Sequence, residues 1–144
     1  MSYVKTNIIL GMPGAGKTTA LELLASQCIK QYFKRGEEER AQSSIPIIIP
    51  LRSISIRNDS SDVIVSAINE HVGLTIIDKD NNYRSSAFKY IFNAIEEGRV
   101  VLFFDGLNEI NPSDVKAIIN SLVALLGRMP ENSRVFITGR KYEY

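Results

Sequence analysis

Short apolar runs alternate with longer amphipathic segments along this chain, the pattern of an α/β domain built on a parallel sheet. The first run, Val4 to Leu10, ends in Ile8, Ile9 and Leu10 and breaks at a glycine-rich turn, as a buried strand feeding a helix does. A helix is predicted from about Lys17 to Phe33, because Leu21, Leu24, Ala25 and Cys28 recur at spacings of three and four and define one sheet-facing side. The polar stretch Lys34 to Ser44, with Glu37, Glu38, Glu39 and Arg40, reads as a solvated loop or an exposed helix end.

Ile45 to Leu51 carries three consecutive isoleucines between Pro46 and Pro50, which suits a strand near a sheet edge. Ser60 or Ser61 is placed to cap a helix reaching about Val72, with Gly73 as its stop. Thr75 to Arg84 reads as a polar connection. Ser85 or Ser86 then starts a helix with Phe88, Ile91, Phe92 and Ile95 on one face and Gly98 as terminator. Val100 to Phe104 is an unbroken apolar run that ends abruptly in Asp105, the form of a central parallel strand with a polar group at its C-terminal end. Asn111 and Pro112 are predicted to cap and open a helix through about Arg128, which Pro130 ends. The last strand is Arg134 to Thr138. No internal repeat interrupts this order.

The length of 144 residues suits one domain, residues 1–144, with a core of its own. A composition 44% hydrophobic and 23% charged excludes a wholly disordered chain. The formal charge of +1 gives no support to direct nucleic-acid binding, so any phosphate recognition must come from a local device. Cys28 is the single cysteine, which excludes an internal disulfide and a cysteine-based zinc site and leaves it the part of a small apolar filler. No stretch reaches the roughly 18 apolar residues of a membrane span, and the N-terminus lacks a secretory pattern, so a cytoplasmic protein is expected.

The local device stands between the first strand and the first helix. The string GMPGAGKTT, Gly11 to Thr19, fits the template G-x-x-x-x-G-K-[ST] through Gly11, Gly16, Lys17 and Thr18. A chance match occurs in about one chain in two hundred of this length, and a strand-to-helix setting is the context the motif requires. Gly11, Gly14 and Gly16 are expected to allow positive φ and a close backbone approach to phosphate oxygens, with the helix N-terminus adding partial positive charge. The nucleotide-binding set is then Gly11, Gly14, Ala15, Gly16, Lys17, Thr18 and Thr19. Lys17 reaches the β- and γ-phosphates, Thr18 offers its hydroxyl to Mg²⁺, and Thr19 bonds an α-phosphate oxygen.

A metal carboxylate is also needed, and Asp105 in the string FFDGLNEI is the candidate, because ligands bind at strand C-termini in open α/β sheets. Gly106 lets the chain turn, and Glu109 is placed to polarise an attacking water. In RVFITGRKYEY the last strand leads to Arg140, whose planar fork suits a γ-phosphate.

Taken together, GMPGAGKTT, PIIIPLRS, VVLFFDGLNEI and RVFITGRKYEY resemble the NACHT family of the STAND class of P-loop NTPases, in order along nearly the whole chain. The resemblance implies a Walker A loop, an extended Walker B string and a sensor 1 strand ending in arginine. It implies an ATP- and Mg²⁺-dependent signalling switch that binds ATP or ADP, hydrolyses ATP slowly and assembles into oligomers. It supports Lys17 and Thr18 for phosphate and metal, Asp105 for metal, Glu109 for hydrolysis and Arg140 for γ-phosphate sensing. Asn108 replaces an aspartate common in the family, which implies slower hydrolysis. The implied fold is a three-layer α/β core with sheet order 5-1-4-3-2, of which the four strands here supply 1-4-3-2. The fifth strand, the helical and winged-helix segments that follow, and the histidine the latter would contribute are then expected to lie outside this chain, and His71 reads as an ordinary partly exposed residue. An apolar first strand at the sheet edge invites pairing with another chain, so self-association through it is expected.

Two other readings compete. A small-molecule kinase also uses this loop, but no arginine-rich lid is present and that fold has no need of the FDGLNE string. A non-catalytic interaction fragment that keeps the fold and binds nucleotide weakly is the other. A GTPase is disfavoured by the absence of an N-K-x-D string.

Overall fold

Strand β3, Val100–Asp105, is buried over its first five residues, and the rest of the molecule is arranged around it. In the computed structural model, described for residues 5–11, 14, 16–40, 43–54, 56, 63–64, 67–68 and 81–140, β3 pairs in parallel with β2, Ile45–Pro50, on one side and with β4, Arg134–Arg140, on the other. Strand β1, Lys5–Gly11, pairs in parallel with β4, which makes a four-stranded sheet in the order β1-β4-β3-β2. This is the order that the family resemblance implies, and all four strands are parallel where a mostly parallel sheet is expected.

The apolar run of β3 serves two cores because successive side chains point to opposite faces. Val101 and Phe103 pack with Leu21 and Ala25 of helix α1, Lys17–Lys34, and Phe103 stacks on Phe136 with ring centroids 5.1 Å apart. Cys28 is half-buried against the same cluster, as a filler should be. Val100, Leu102 and Phe104 face the larger core with Ile47, Ile49, Val135 and Ile137. Its covering helices contribute Ala94 and Ile95 from α3, Asn81–Glu96, and Ile118, Leu122 and Leu125 from α4, Val115–Arg128. A short helix α2, Glu37–Arg40, occupies the acidic stretch expected to be a solvated loop or helix end.

Several boundaries differ from the sequence reading. Helix α3 begins at Asn81 rather than Ser85 or Ser86, so part of the expected polar connection is helical; a polar first turn extends a helix at little cost once its later turns are packed. Its packed stripe runs through partly buried Ile91 and buried Ala94 and Ile95, and Phe92, one position round the helix from Ile91, is 38% exposed. Asn111 and Pro112 do not open α4. Instead Asn111 Oδ1 accepts from the Ser113 amide and hydroxyl at 3.3 and 3.1 Å, which closes a separate turn ahead of Val115. Strand β2 ends at Pro50, and Leu51–Ser53 forms a 3₁₀ turn that buries Leu51. Strand β4 continues two residues past Thr138. Of the helix expected from Ser60 or Ser61 to Val72, Val63, Ile64, Ala67 and Ile68 are helical and its remaining residues lie outside the described set, as do Val4 and His71.

Candidate functional site

The C-terminal ends of β1, β3 and β4 open on a common cleft of about 380 Å³, where an open parallel sheet places its ligands. The loop after β1 enters α1 at Gly16, which takes φ 81° and ψ 23° and whose carbonyl accepts the Ala20 amide at 2.8 Å. A residue with a Cβ is strained in this left-handed region. Gly14 also has a positive φ, 75°, and a Cβ at either position would meet no heavy atom within 4 Å, so both glycines border open space. Gly11 departs from expectation: it is the last residue of β1, paired in register with Arg140, and is not among the positive-φ glycines.

The first turn of α1 supplies three side chains to the cleft, Lys17, Thr18 and Thr19. Lys17 Nζ donates to the Gly11 carbonyl at 2.9 Å and so bends back along the loop. Thr18 Oγ1 donates to Asp105, 3.1 Å from Oδ2 and 3.3 Å from Oδ1, across 87 residues of sequence. The amide end of a helix and a carboxylate at a strand end thus face each other with a hydroxyl between them.

Asp105 closes β3, and Gly106 turns the chain with φ 84° into a 3₁₀ turn, Leu107–Glu109, in which the Glu109 amide donates to the Gly106 carbonyl at 2.9 Å. Asn108 and Glu109 line the cleft. Glu109 is exposed, and its Oε2 lies 3.9 Å from the Arg52 guanidinium, which projects from the turn after β2. On the remaining wall stand Thr138 and Arg140 of β4, two positions apart on one strand.

Of the residues expected to form the site, Gly14, Gly16, Lys17, Thr18, Thr19, Asp105, Glu109 and Arg140 line this cleft. Gly11 borders it through the Lys17 contact, and Ala15 lies outside the described residues. Two neighbours escaped the sequence reading. Thr138, buried, donates to Asp105 Oδ1 at 2.5 Å and accepts the Gly106 amide at 2.8 Å. Arg52 stands beside Glu109. The available signal was positional: each follows an apolar run at the same end of a parallel strand as Asp105.

Hard oxygen donors, a hydroxyl and a carboxylate, are what a magnesium ion takes from a protein when phosphates supply the rest of its shell. Among the described residues no group of three or more His, Cys, Asp and Glu is gathered as an all-protein metal cage. Thr18 and Asp105 supply one donor of each kind.

A four-stranded all-parallel sheet in this order, with a glycine loop leading from its first strand into a helix, defines an α/β protein of the P-loop NTPase-like fold. The chain belongs to the Nephrocystin 3, N-terminal family, whose model matches residues 4–140. No curated protein matches it. Among the described residues no helix is long and apolar enough to cross a membrane.

Proposed function

We propose that this chain is the core of an ATP-binding, slowly hydrolysing switch of NACHT type. The observation that carries the reading is the meeting of Thr18, at the start of α1, with Asp105, at the end of β3, in a cleft also lined by Lys17, Glu109 and Arg140. In this reading the amides at Gly14 and Gly16 and the N-terminus of α1 cradle the phosphates. Lys17 leaves the Gly11 carbonyl for the β- and γ-phosphate oxygens, exchanging a neutral acceptor for an anionic one. Thr18 and Asp105 hold Mg²⁺, which supplies neutralisation of charge on the phosphate oxygens. Glu109 accepts a hydrogen bond from the attacking water and orients it in line with the γ-phosphorus, while Arg140 stabilises charge on the transferred group. Asn108 adds no second carboxylate beside Glu109, consistent with slow turnover.

The test is binding and turnover of ATP, ADP and GTP with Mg²⁺. Lys17→Ala is expected to weaken ATP binding about 10- to 100-fold, the worth of a charge-assisted contact. Glu109→Gln is expected to keep binding and lose turnover by at least about 100-fold, the usual share of a positioned base. A wild-type protein that binds no nucleotide at millimolar concentration overturns the reading, and phosphate transfer to an acceptor redirects it to a kinase.

The outer edge of β1 supports a second part of the proposal, self-association. Among the described residues β1 pairs with β4 alone, and Ile8 and Leu10 are 60% and 55% exposed. A sheet edge that no described strand covers, beside the exposed aliphatic side chains of Ile8 and Leu10, invites a strand from another chain.

A further inference from the structure

Among the described residues lining the cleft, Thr138 alone brings a buried side-chain hydroxyl, 1% exposed. A hydroxyl has one proton and two lone pairs, and Thr138 directs both capacities at the same turn. Its proton goes to Asp105 Oδ1 at 2.5 Å, and its oxygen accepts the Gly106 amide at 2.8 Å. The β3–β4 backbone register runs as far as Phe104 and Ile137, so this side-chain pair continues the join one residue beyond it. Thr18 Oγ1 also donates to this carboxylate, 3.1 Å from Oδ2 and 3.3 Å from Oδ1, so Oδ2 is the oxygen that Thr138 leaves open.

We infer that Thr138 is a positioning residue for the divalent cation, acting through Asp105. The inference rests on the nucleotide and Mg²⁺ reading above. A carboxylate at the end of a strand rotates about two side-chain bonds, and a cation site loses affinity when its oxygens are not held in one orientation. Thr138 holds one oxygen and the adjoining amide together, so the other oxygen and the Thr18 hydroxyl present a fixed pair. Partners of this kind, one step removed from the metal, commonly set affinity by about 10- to 100-fold.

Thr138→Val keeps the β-branched shape and removes the hydroxyl, whereas Thr138→Ser keeps the hydroxyl. The measurement is the Mg²⁺ concentration giving half-maximal enhancement of fluorescent ATP-analogue binding, with a parallel affinity in EDTA. Thr138→Val is expected to raise that concentration about tenfold and to leave the EDTA affinity within about twofold, less than a weak hydrogen bond is worth. Thr138→Ser is expected to restore the wild-type value. If Thr138→Val does not fold by circular dichroism, Thr138→Ala carries the same expectation.

An unchanged Mg²⁺ requirement overturns the inference. So does an equal loss in EDTA, or a serine variant as impaired as valine, since either points to packing rather than orientation. Wild-type protein that binds nucleotide while the variants match it overturns this inference alone. Wild-type protein that binds none overturns the nucleotide reading and takes the inference with it.

Discussion

Gly106 does two things at once: its φ of 84° reverses the chain after Asp105, and its bare Cα leaves room for Glu109. A Cβ there would stand 3.0 Å from both Cδ and Oε2 of Glu109, so any other residue adds left-handed strain and pushes the carboxylate outward. Gly106→Ala is expected to cost about 1–3 kcal/mol, read as a lower denaturant midpoint. On the proposed switch reading it should also reduce ATP turnover more than ATP binding, because Glu109 is displaced while Lys17 and Thr18 are not. Equal losses of both would argue that the whole cleft has shifted. Asp105 shows the same economy of position, since its one carboxylate joins α1 through Thr18 and β4 through Thr138.

At the scale of elements, the cleft depends on β3 being held from both faces. Phe103 is fully buried between α1 and the sheet and stacks on Phe136 of β4. Phe103→Ala removes the ring that joins three elements and is expected to cost about 3–5 kcal/mol, measurable as a large drop in thermal or denaturant midpoint. Because Asp105 lies two residues along the same strand, the proposed switch reading also expects partly destabilised protein to require more Mg²⁺ for nucleotide binding. A loss well under that range would mean that α1 and the sheet collapse onto the cavity. Helix α1 is positioned by Leu21 and Ala25 at its buried face, so its N-terminal turn is delivered to the cleft by core packing rather than by a side-chain cap.

At the scale of the molecule, the sheet has two unlike edges. Strand β2 carries Pro46 and Pro50, and proline withholds an amide from any further ladder. Strand β1 has no proline, and Ile8 and Leu10 stand in register with Ile137 and Gly139, on the α4 side of the sheet. Association through β1 is expected to appear as concentration-dependent mass in light scattering. Ile8→Lys with Leu10→Lys should shift the population to monomer with little change in stability, since exposed substitutions usually stay within about 0.5 kcal/mol. A monodisperse wild-type monomer with this edge open would remove the proposal.

Much of this was legible along the chain because it rests on local chemistry. The strand at Val100–Phe104 announces itself by five apolar residues, and a strand of parallel type must be buried on both faces. The loop from Gly11 to Thr19 is legible because left-handed turns and phosphate contacts demand glycine and lysine at set spacings. The start of α3 at Asn81 and the separate turn at Asn111 were not legible, since polar residues are compatible with a helix, a cap or a loop and packing decides among them. The spacing of Phe88, Ile91, Phe92 and Ile95 puts Phe92 on the packed face, but the helix is turned so that Ala94 and Ile95 are buried and Phe92 is 38% exposed, a rotation that packing sets and spacing does not.

The sequence by itself therefore determined the α/β class, the strands, the glycine loop and the acidic turn, because each is written in residues that are neighbours along the chain. Only the tertiary structure decided that Thr18 faces Asp105, that Thr138 holds the same carboxylate and that Arg52 stands beside Glu109. The physical reason is the crossing of the sheet. β4 inserts between β1 and β3, so residues 87 and 33 positions apart in sequence come within a hydrogen bond of one aspartate, and a one-dimensional pattern carries no record of that insertion.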